Sequence, residues 1–256
     1  MKIAYIGIDL FYPAPLWLQN AGAEIAEVFT CKTDNVTEFN TKIIAFAKKN
    51  KIPYTLSRIT AEDIKRLRES GVHAAVCAGY YYKIPVTEDF PIVNIHPSLL
   101  PLGRGSWPMP HAILSGAKKS GVTIHKIAEG FDTGDILMQE SFNLAKDENL
   151  DTFMEKALGL LPDMLKRLVK NFDGLWRGAK KQGEGEYIAA QTEKDWTVTA
   201  DMAADTADGI LRAFYGYECI YAGKNGNVTI RRGRAHKGEP AGQRLPLTDG
   251  YIEIIE

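Results

Sequence analysis

The chain has 256 residues, 45% of them hydrophobic, and its formal net charge is −1 at pH 7. This length suffices for one large domain with an appendage, and a near-neutral charge gives no general attraction to nucleic acid or anionic membranes. Cys31, Cys77 and Cys219 are scattered and lack CxxC spacing, so neither a disulfide framework nor a metal site is indicated.

No apolar run approaches the roughly 20 residues that a membrane-crossing helix needs. The first apolar run, residues 3–8, is too short for the core of a signal peptide and has the length of a strand. We therefore expect a soluble cytoplasmic protein without membrane contact.

Short apolar runs alternate with helical periodicity through the first hundred residues. The runs predict strands at residues 3–8, 23–30, 53–56, 72–78 and 92–95. The periodic stretches predict helices at residues 13–21, 38–50 and 61–70. Strands that alternate with helices favour right-handed crossovers. The predicted fold class is α/β, with a Rossmann-like, mostly parallel sheet and flanking helices.

The rest of the chain predicts two more strands and a smaller second element. Residues 121–127 and 136–144 read as strands on either side of a loop, and residues 152–172 as a long amphipathic helix. Residues 174–186 are rich in Gly, Lys and Gln, which is typical of a linker.

Beyond this stretch, residues 200–214 predict a helix and residues 228–232 and 251–255 predict strands. The predicted domains are therefore residues 1–185 and a small C-terminal α+β element, residues 186–256.

The most informative polar residues follow a buried strand. Asn94 and His96 alternate along it, and side chains two apart on a strand point to the same face. Ligands of parallel α/β sheets bind beyond the carboxyl ends of the strands, where this pair falls. A second polar loop, Gly130-Phe131-Asp132-Thr133-Gly134-Asp135, follows later in the chain.

These segments resemble the folate-dependent formyltransferases, a family that includes methionyl-tRNA, glycinamide ribonucleotide and sugar N-formyltransferases. The offset from His96 to Asp132, 132 − 96 = 36, is similar to the family's spacing between catalytic His and Asp. The resemblance is carried by Asn94-Ile95-His96-Pro97-Ser98-Leu99-Leu100-Pro101, Arg104-Gly105, Gly121-Val122-Thr123-Ile124 and Asp132-Thr133-Gly134-Asp135. It implies the formyltransferase fold, 10-formyltetrahydrofolate as formyl donor and no metal.

By this resemblance the catalytic residues are Asn94, His96 and Asp132. Formyl transfer needs a donor for the developing oxyanion and proton transfer between the attacking amine and the leaving nitrogen. The Asn94 amide can donate to the oxyanion, His96 can donate to it or move a proton, and Asp132 can orient His96 or accept the amine's proton through water. The alternatives are a turn-forming Asn94, a structural His96 and an Asp132 that closes a turn. Asp135 is assigned a supporting or turn role.

In relatives, the segment before the catalytic strand and the loop before the catalytic Asp hold the folate. This likeness implies a folate site formed by Gly79, Tyr80, Tyr81, Ile127, Ala128, Glu129, Gly130 and Phe131. The tyrosines at 80–82 depart from the aliphatic residues often found there, and packing of these rings on the sheet is an equal alternative.

The loop after His96 looks like one that reaches toward the acceptor. Its candidate acceptor-binding residues are Ser98, Arg104, Gly105 and Trp107. Arg104 can pair with a phosphate or carboxylate, or lie solvated on the surface. His111 and His125 are assigned structural roles.

Two features bear on the identity of the acceptor. Residues 30–38 have one lysine and two acids, where methionyl-tRNA formyltransferases carry a basic loop. Residues 231–237 are basic and suit either a few phosphates or a strand edge guarded by cations. We therefore expect a small-molecule amine, such as a nucleotide-linked amino sugar.

The alternatives are a methionyl-tRNA formyltransferase, with tRNA as partner, a formyl-folate hydrolase and a folate-binding module without turnover. The sequence does not fix the oligomeric state, and a homodimer stays open.

Overall fold

The computed structural model describes residues 1–33, 39–224, 226–239 and 244–256. Within these ranges the strands are β1 (Lys2–Gly7), β2 (Glu24–Phe29), β3 (Tyr54–Thr55), β4 (Ala74–Ala78), β5 (Ile92–His96), β6 (Arg104–Gly105), β7 (Lys119–Lys126), β8 (Ile136–Asn143), β9 (Tyr187–Ile188), β10 (Thr197–Thr199), β11 (Cys219–Gly223), β12 (Gly226–Ile230), β13 (Gly233–Lys237), β14 (Leu245–Pro246) and β15 (Gly250–Ile254). The α-helices are α1 (Ala14–Asn20), α2 (Thr41–Lys49), α3 (Ala61–Glu69), α4 (Pro108–Leu114), α5 (Leu150–Lys170), α6 (Phe172–Arg177) and α7 (Ala204–Ala213).

Across the described residues, seven strands form a central sheet in the order β3-β2-β1-β4-β5-β7-β8. Neighbours from β3 to β5 pair in parallel, whereas β5 and β7 pair antiparallel. The prediction of an α/β fold with a mostly parallel sheet is confirmed.

Strands β1 and β4 are almost entirely apolar because both faces of the sheet are covered. Every residue of β4 is buried, and so is β1 after its first residue. On one face, Ile64 and Leu67 of α3 pack with Ile6, Ala75 and Ile92 of the strands in one cluster. Each fully buried Ile or Leu side chain contributes about 1.5–3 kcal/mol to folding. This packing fixes the strand ends on which the polar residues lie.

The chain divides into two compact units, each discontinuous in sequence. The first comprises residues 1–104, 121–141 and 157–186 and carries most of the central sheet. The second comprises residues 105–120, 142–156 and 187–256 and carries α4, α7 and two small sheets, β10-β11-β12 and β13-β15-β14. No helix within the described residues is both long and apolar enough to cross a membrane.

The stretch predicted as a linker, residues 174–186, is partly helical, which corrects that prediction. Helix α6 continues from α5 and ends at Arg177. Its first residue, Phe172, is buried and stacks on Trp176 with ring centroids 5.9 Å apart. Lys180 then forms an isolated antiparallel bridge with Ile136. The ring stacking and the backbone bridge order a segment whose composition alone is typical of a loop.

Helix α2 begins at Thr41, and the first residue of its predicted range, Glu38, lies outside the described residues. Asp9 caps this helix from a distant part of the chain, because its carboxylate accepts from the Lys42 and Ile43 backbone N–H groups, each at 2.9 Å. The first N–H groups of a helix have no partner within the helix, so this carboxylate does the work of a local capping residue.

We expect Asp9→Ala to lower the free energy of unfolding by about 1–2 kcal/mol, the usual effect of losing a helix cap. Urea denaturation measures this as a lower midpoint with an unchanged slope. Lys49→Gln, on the exposed last turn of the same helix, is the control and should leave the midpoint in place. A midpoint for Asp9→Ala equal to the control's would contradict the capping role.

Candidate active site

Three neighbouring strands place polar side chains in one row. Cys77 of β4 lies opposite Asn94 of β5, and Asn94 lies opposite His125 of β7. Residues directly opposite each other in a sheet project from the same face. His96 follows two residues after Asn94 and shares that face. The register of the sheet thus brings together Asn94 and His96, as the sequence predicts, and adds His125.

Asp132 reaches this row from the loop between β7 and β8, residues 127–135. The loop is closed at its base, where Lys126 N–H donates to the Asp135 carbonyl at 2.9 Å and the Lys126 ammonium pairs with the Asp135 carboxylate at 3.2 Å. The backbone of Asp132 has φ +54°, in the left-handed region that non-glycine residues seldom adopt. This conformation costs of order 1–3 kcal/mol and persists where surrounding contacts enforce it.

Three nitrogens converge on one oxygen of Asp132. Its Oδ1 atom lies 3.3 Å from Asn94 Nδ2, 3.4 Å from His125 Nε2 and 3.7 Å from His96 Nδ1. The histidine side chains are almost fully buried, and that of Asp132 is 12% exposed. We call these four residues the Asp132 cluster. They form a buried polar centre with limited access to solvent.

The hydrogen bonds of the two histidines fix their tautomers. His96 Nε2 lies 2.7 Å from the Gly103 carbonyl, and His125 Nδ1 lies 2.7 Å from the Lys126 carbonyl. A carbonyl oxygen only accepts, so these nitrogens carry the protons in neutral histidine. His96 Nδ1 and His125 Nε2 therefore present lone pairs toward Asp132 Oδ1. The Asp132 cluster therefore has three acceptor atoms, Asp132 Oδ1, His96 Nδ1 and His125 Nε2, and one donor, the Asn94 amide. Such a set of groups can take up a proton.

Burial lowers the pKa of His96 below its ordinary value. The charge of Asp132 and the bond to the Gly103 carbonyl act in the opposite direction, and His125 adds to the lowering. Desolvation of the imidazolium is the largest of these effects. His96 is therefore a neutral proton acceptor at pH 7, with a carboxylate in place to stabilise it once protonated.

The Asn94 amide is already engaged at its nitrogen. Nδ2 donates to Asp132 Oδ1 and, at 3.2 Å, to the unprotonated His125 Nε2. If Asn94 donates to a developing oxyanion, one of these two contacts must be exchanged. His125, which the sequence assigns a structural role, therefore belongs to the site through this amide.

For the formyl transfer that the family resemblance implies, we expect Asn94→Ala to lower kcat by about 10²–10³, the usual loss for one oxyanion donor. Stopped-flow release of tetrahydrofolate measures this effect. Asn94→Asp is the informative partner variant, because its carboxylate keeps the shape but places a second negative charge beside Asp132. It should be at least as slow as Asn94→Ala, and faster turnover would contradict a donor role for the amide.

The residues predicted to hold folate fall into two groups. Tyr80 packs against the buried cluster of β1, β4 and α3, and its hydroxyl accepts from the Ile59 N–H at 3.1 Å. Ile127 packs on the same cluster. Tyr81 and Phe131 are exposed, at 43% and 53%.

The remaining members of the predicted folate set, Gly79, Ala128, Glu129 and Gly130, lie in the same two loops. Glu129 pairs with Lys83 at 3.0 Å, and Gly79 has a positive φ of 64°.

The predicted acceptor-binding residues are not gathered in one unit. Ser98 is buried and donates to the Leu102 carbonyl at 2.7 Å, which makes it a turn residue. Arg104 donates to Gln182 and to the Gly183 carbonyl. Gly105 and Trp107 belong to the second unit, where Trp107 packs edge-on against Tyr217 with ring centroids 4.5 Å apart.

The basic cluster at residues 231–237 has carboxylate partners for each arginine and lysine. The pairs are Arg231 with Glu218, Arg232 with Asp151 and Glu256, Arg234 with Asp208, and Lys237 with Asp205. A phosphate would have to compete with these carboxylates for the same cations.

The family model for formyl transferases matches residues 17–168, more than half of the chain. The seven-stranded, mostly parallel sheet agrees with this match. The chain belongs to the formyl transferase family.

Curated relatives carry the name methionyl-tRNA formyltransferase. The chain is 30% identical to that of Anaplasma marginale (strain St. Maries) over 226 residues, 84% of this chain and 74% of the relative. It is 33% identical to that of Ehrlichia ruminantium (strain Gardel) over 167 residues, 64% of this chain and 54% of the relative. The chain thus matches only about half the length of the Ehrlichia protein.

Solved structures share the fold. Phosphoribosylglycinamide formyltransferase from Bacillus halodurans is 28% identical with a TM-score of 0.56, over 69% of this chain and 99% of that one. A sugar N-formyltransferase from a Shewanella species is 19% identical with a TM-score of 0.68, over 90% and 96%. HypX from Aquifex aeolicus, solved with tetrahydrofolic acid, is 15% identical with a TM-score of 0.70, over 99% and 43%.

Proposed function

We propose that this chain transfers the formyl group of 10-formyltetrahydrofolate to a primary amine. The observation that carries the proposal is the convergence of Asn94 Nδ2, His96 Nδ1 and His125 Nε2 on Asp132 Oδ1, within 3.3–3.7 Å. Membership of the formyl transferase family supports it. This arrangement offers one amide donor, the neutral imidazole of His96, a second imidazole and one carboxylate, which are the groups that transfer to an amine needs.

Three residues of the Asp132 cluster have distinct tasks in the proposed reaction. The bound folate supplies the formyl carbon. The Asn94 amide donates to the formyl oxygen as negative charge develops there. His96 Nδ1 accepts the proton that the amine loses, and Asp132 stabilises the imidazolium that results. The same proton is then available to the leaving nitrogen.

The two loops proposed to bind folate, residues 79–81 and 127–131, have side chains that suit a flat heterocycle. Tyr81 and Phe131 present exposed aromatic surface, whereas large apolar side chains usually lose such exposure on folding. Tyr80 and Ile127 anchor the two loops on one buried cluster. Gly79, Ala128, Glu129 and Gly130 complete the proposed folate site, whose small residues give access to backbone groups.

Methionyl-tRNA is the first acceptor to test. The relative of that name from Anaplasma marginale is 30% identical over 84% of this chain. Solved structures below 25% identity support only the fold. Our expectation of a small-molecule amine therefore has less support than its alternative. Part of the stretch on which it rested, residues 34–38, lies outside the described residues.

A small amine is kept as second candidate because of one observation. The arginines and lysines of residues 231–237 are engaged by carboxylates of the same unit, so this cluster contributes little net positive charge. Affinity for tRNA depends on cations that neutralise phosphates. Gly105 and Trp107, which lie in the second unit, stay our candidates for acceptor contacts.

An acceptor panel tests the function. The protein is mixed with 10-formyltetrahydrofolate and methionyl-tRNA, amino sugars or no acceptor, while absorbance follows tetrahydrofolate release and mass spectrometry follows acceptor formylation. We expect release that depends on an acceptor. Release without any acceptor would identify a hydrolase, and binding without release across the panel would identify a folate-binding module.

A further inference from the structure

A glutamine in the stretch that resembles a linker clamps the loop that carries Asp132. The Gln182 amide Nε2 donates to the Asp132 carbonyl at 2.9 Å and to the Gly134 carbonyl at 2.6 Å. One primary amide thus holds both carbonyls that flank the turn. Gln182 is 50 residues (182 − 132) from Asp132, and it lies in the same compact unit.

Arg104 fixes the orientation of this amide. Its Nε and Nη2 atoms donate to Gln182 Oε1 at 3.1 and 2.8 Å, and Nη2 also donates to the Gly183 carbonyl at 2.9 Å. Guanidinium is a donor only and the loop carbonyls are acceptors only. The flipped amide would lose its bonds to Arg104 and to both loop carbonyls, so a single orientation of Gln182 satisfies both sides.

The hydrogen bonds from Gln182 reach the loop at the residue whose backbone conformation is unfavourable. Asp132 has φ +54°, and no glycine relieves that conformation at this position. A Cβ on Gly134 would lie 2.0 Å from the Lys126 carbonyl, so the next turn of backbone is pressed against β7. Contacts from outside the loop are needed to keep such a backbone in place.

We propose that Gln182, oriented by Arg104, is a positioning residue that holds the Asp132 carboxylate against His96 and His125. The inference rests on the proposed function. It assigns Arg104 a role through Gln182 instead of direct contact with the acceptor. A carboxylate displaced by about 1 Å can cost about 10²-fold in rate, which sets the size of the expected effect.

Two substitutions at Gln182 separate its bonds to the loop carbonyls from its bonds to Arg104. Gln182→Glu keeps the acceptor for Arg104 but faces two carbonyls with a carboxylate, whereas Gln182→Met has similar length and makes neither set of bonds. We expect both to lower kcat by about 10²-fold. Glu184→Gln, an exposed substitution in the same segment, is the matched control and should behave as wild type. A fully active Gln182→Glu variant would overturn the proposal.

The pH profile gives a readout that a merely structural role would not move. If the carboxylate leaves His96, the imidazolium loses its stabilising partner. The acid limb of the rate profile should therefore shift to lower pH in Gln182→Met, as it should when Asp132 itself is neutralised. An acid limb at the wild-type position would overturn the proposal.

A double-substitution cycle tests the part assigned to Arg104. If Arg104 acts through Gln182, Arg104→Ala should add little to the loss already caused by Gln182→Met, since residues of one network couple strongly. Losses that multiply would instead place Arg104 on the substrate and overturn its role in the clamp.

Hydrogen exchange separates failure of this inference from failure of the proposed function. Amides of residues 130–135 should exchange faster in Gln182→Met than in wild type or Glu184→Gln, whether or not the protein transfers formyl groups. Absence of transfer by wild type would refute the function alone. Unchanged exchange in residues 130–135 would refute the clamp.

Discussion

Replacement of His96 by glutamine should lower kcat for formyl transfer by about 10²–10⁴, the range supplied by a positioned general base. Glutamine can still donate to the Gly103 carbonyl, which His96 Nε2 contacts at 2.7 Å, but it cannot accept a proton at pH 7. Binding of 10-formyltetrahydrofolate should be unchanged, because His96 is outside the proposed folate loops. Rapid-mixing kinetics and equilibrium binding measure the two effects.

The wild-type pH profile completes this prediction. Neutral His96 is the active form, and burial lowers its pKa below the ordinary value of about 6.5. The rate should thus be constant near pH 7 and fall as the pH drops below about 6.5, with this limb lost in His96→Gln. His73→Gln is the control, since His73 pairs with Asp173 at 2.9 Å away from the cluster. Full activity of His96→Gln would contradict its role as base.

Asp132→Asn should have an effect of similar size, about 10²–10⁴ on kcat. It removes the negative charge toward which His96 Nδ1 and His125 Nε2 point, so the protonated base loses the stabilisation that this charge provides. Asp132 also raises the pKa of His96 against the larger effect of burial. The residual activity should therefore show its acid limb at lower pH than wild type. Steady-state rates between pH 5 and 8 test both features.

Asp135→Asn is the matched control for this loop. Asp135 forms a partly exposed pair with Lys126 at 3.2 Å, and such pairs contribute about 0–1 kcal/mol. Little change in kcat is expected. If Asp135→Asn were as slow as Asp132→Asn, the reaction would depend on the loop's fold and not on the Asp132 carboxylate.

Sequence patterns were sufficient to predict the central sheet and to place Asn94 and His96 on the same face of one strand. The strands are short apolar runs because both faces of the sheet are covered, and that signal is local. The catalytic role predicted for Asp132 depends on the family resemblance. No local sequence pattern indicates that an aspartate in a turn contacts a strand residue 36 positions (132 − 96) earlier. The contact between Asp132 Oδ1 and His96 Nδ1 depends on how the loop of residues 127–135 folds.

His125 shows what such patterns omit. Its place in the cluster depends on β7 pairing antiparallel with β5 in the register that sets His125 opposite Asn94. A shift of one residue would turn it to the other face. Its available signal was the alternation of polar residues in Thr123-Ile124-His125 on a predicted strand, which is meaningful only once the partner strand is known.

Gln182 could not be predicted from composition. The glycines and lysines around it are typical of a flexible loop, and a lone glutamine carries no motif. Its contacts with the loop of Asp132 depend on the anchors that order this segment, Phe172 on Trp176 and the bridge from Lys180 to Ile136. Such long-range contacts leave no periodic trace in the chain.

The most direct test of the Asp132 cluster is the rate of acceptor formylation in wild type and in the variant with Asn94→Ala, His96→Ala and Asp132→Ala combined. We expect transfer from 10-formyltetrahydrofolate by wild type, and a loss of at least about 10³-fold in the triple variant with the folded state retained. Transfer by the triple variant within about tenfold of wild type would contradict the account.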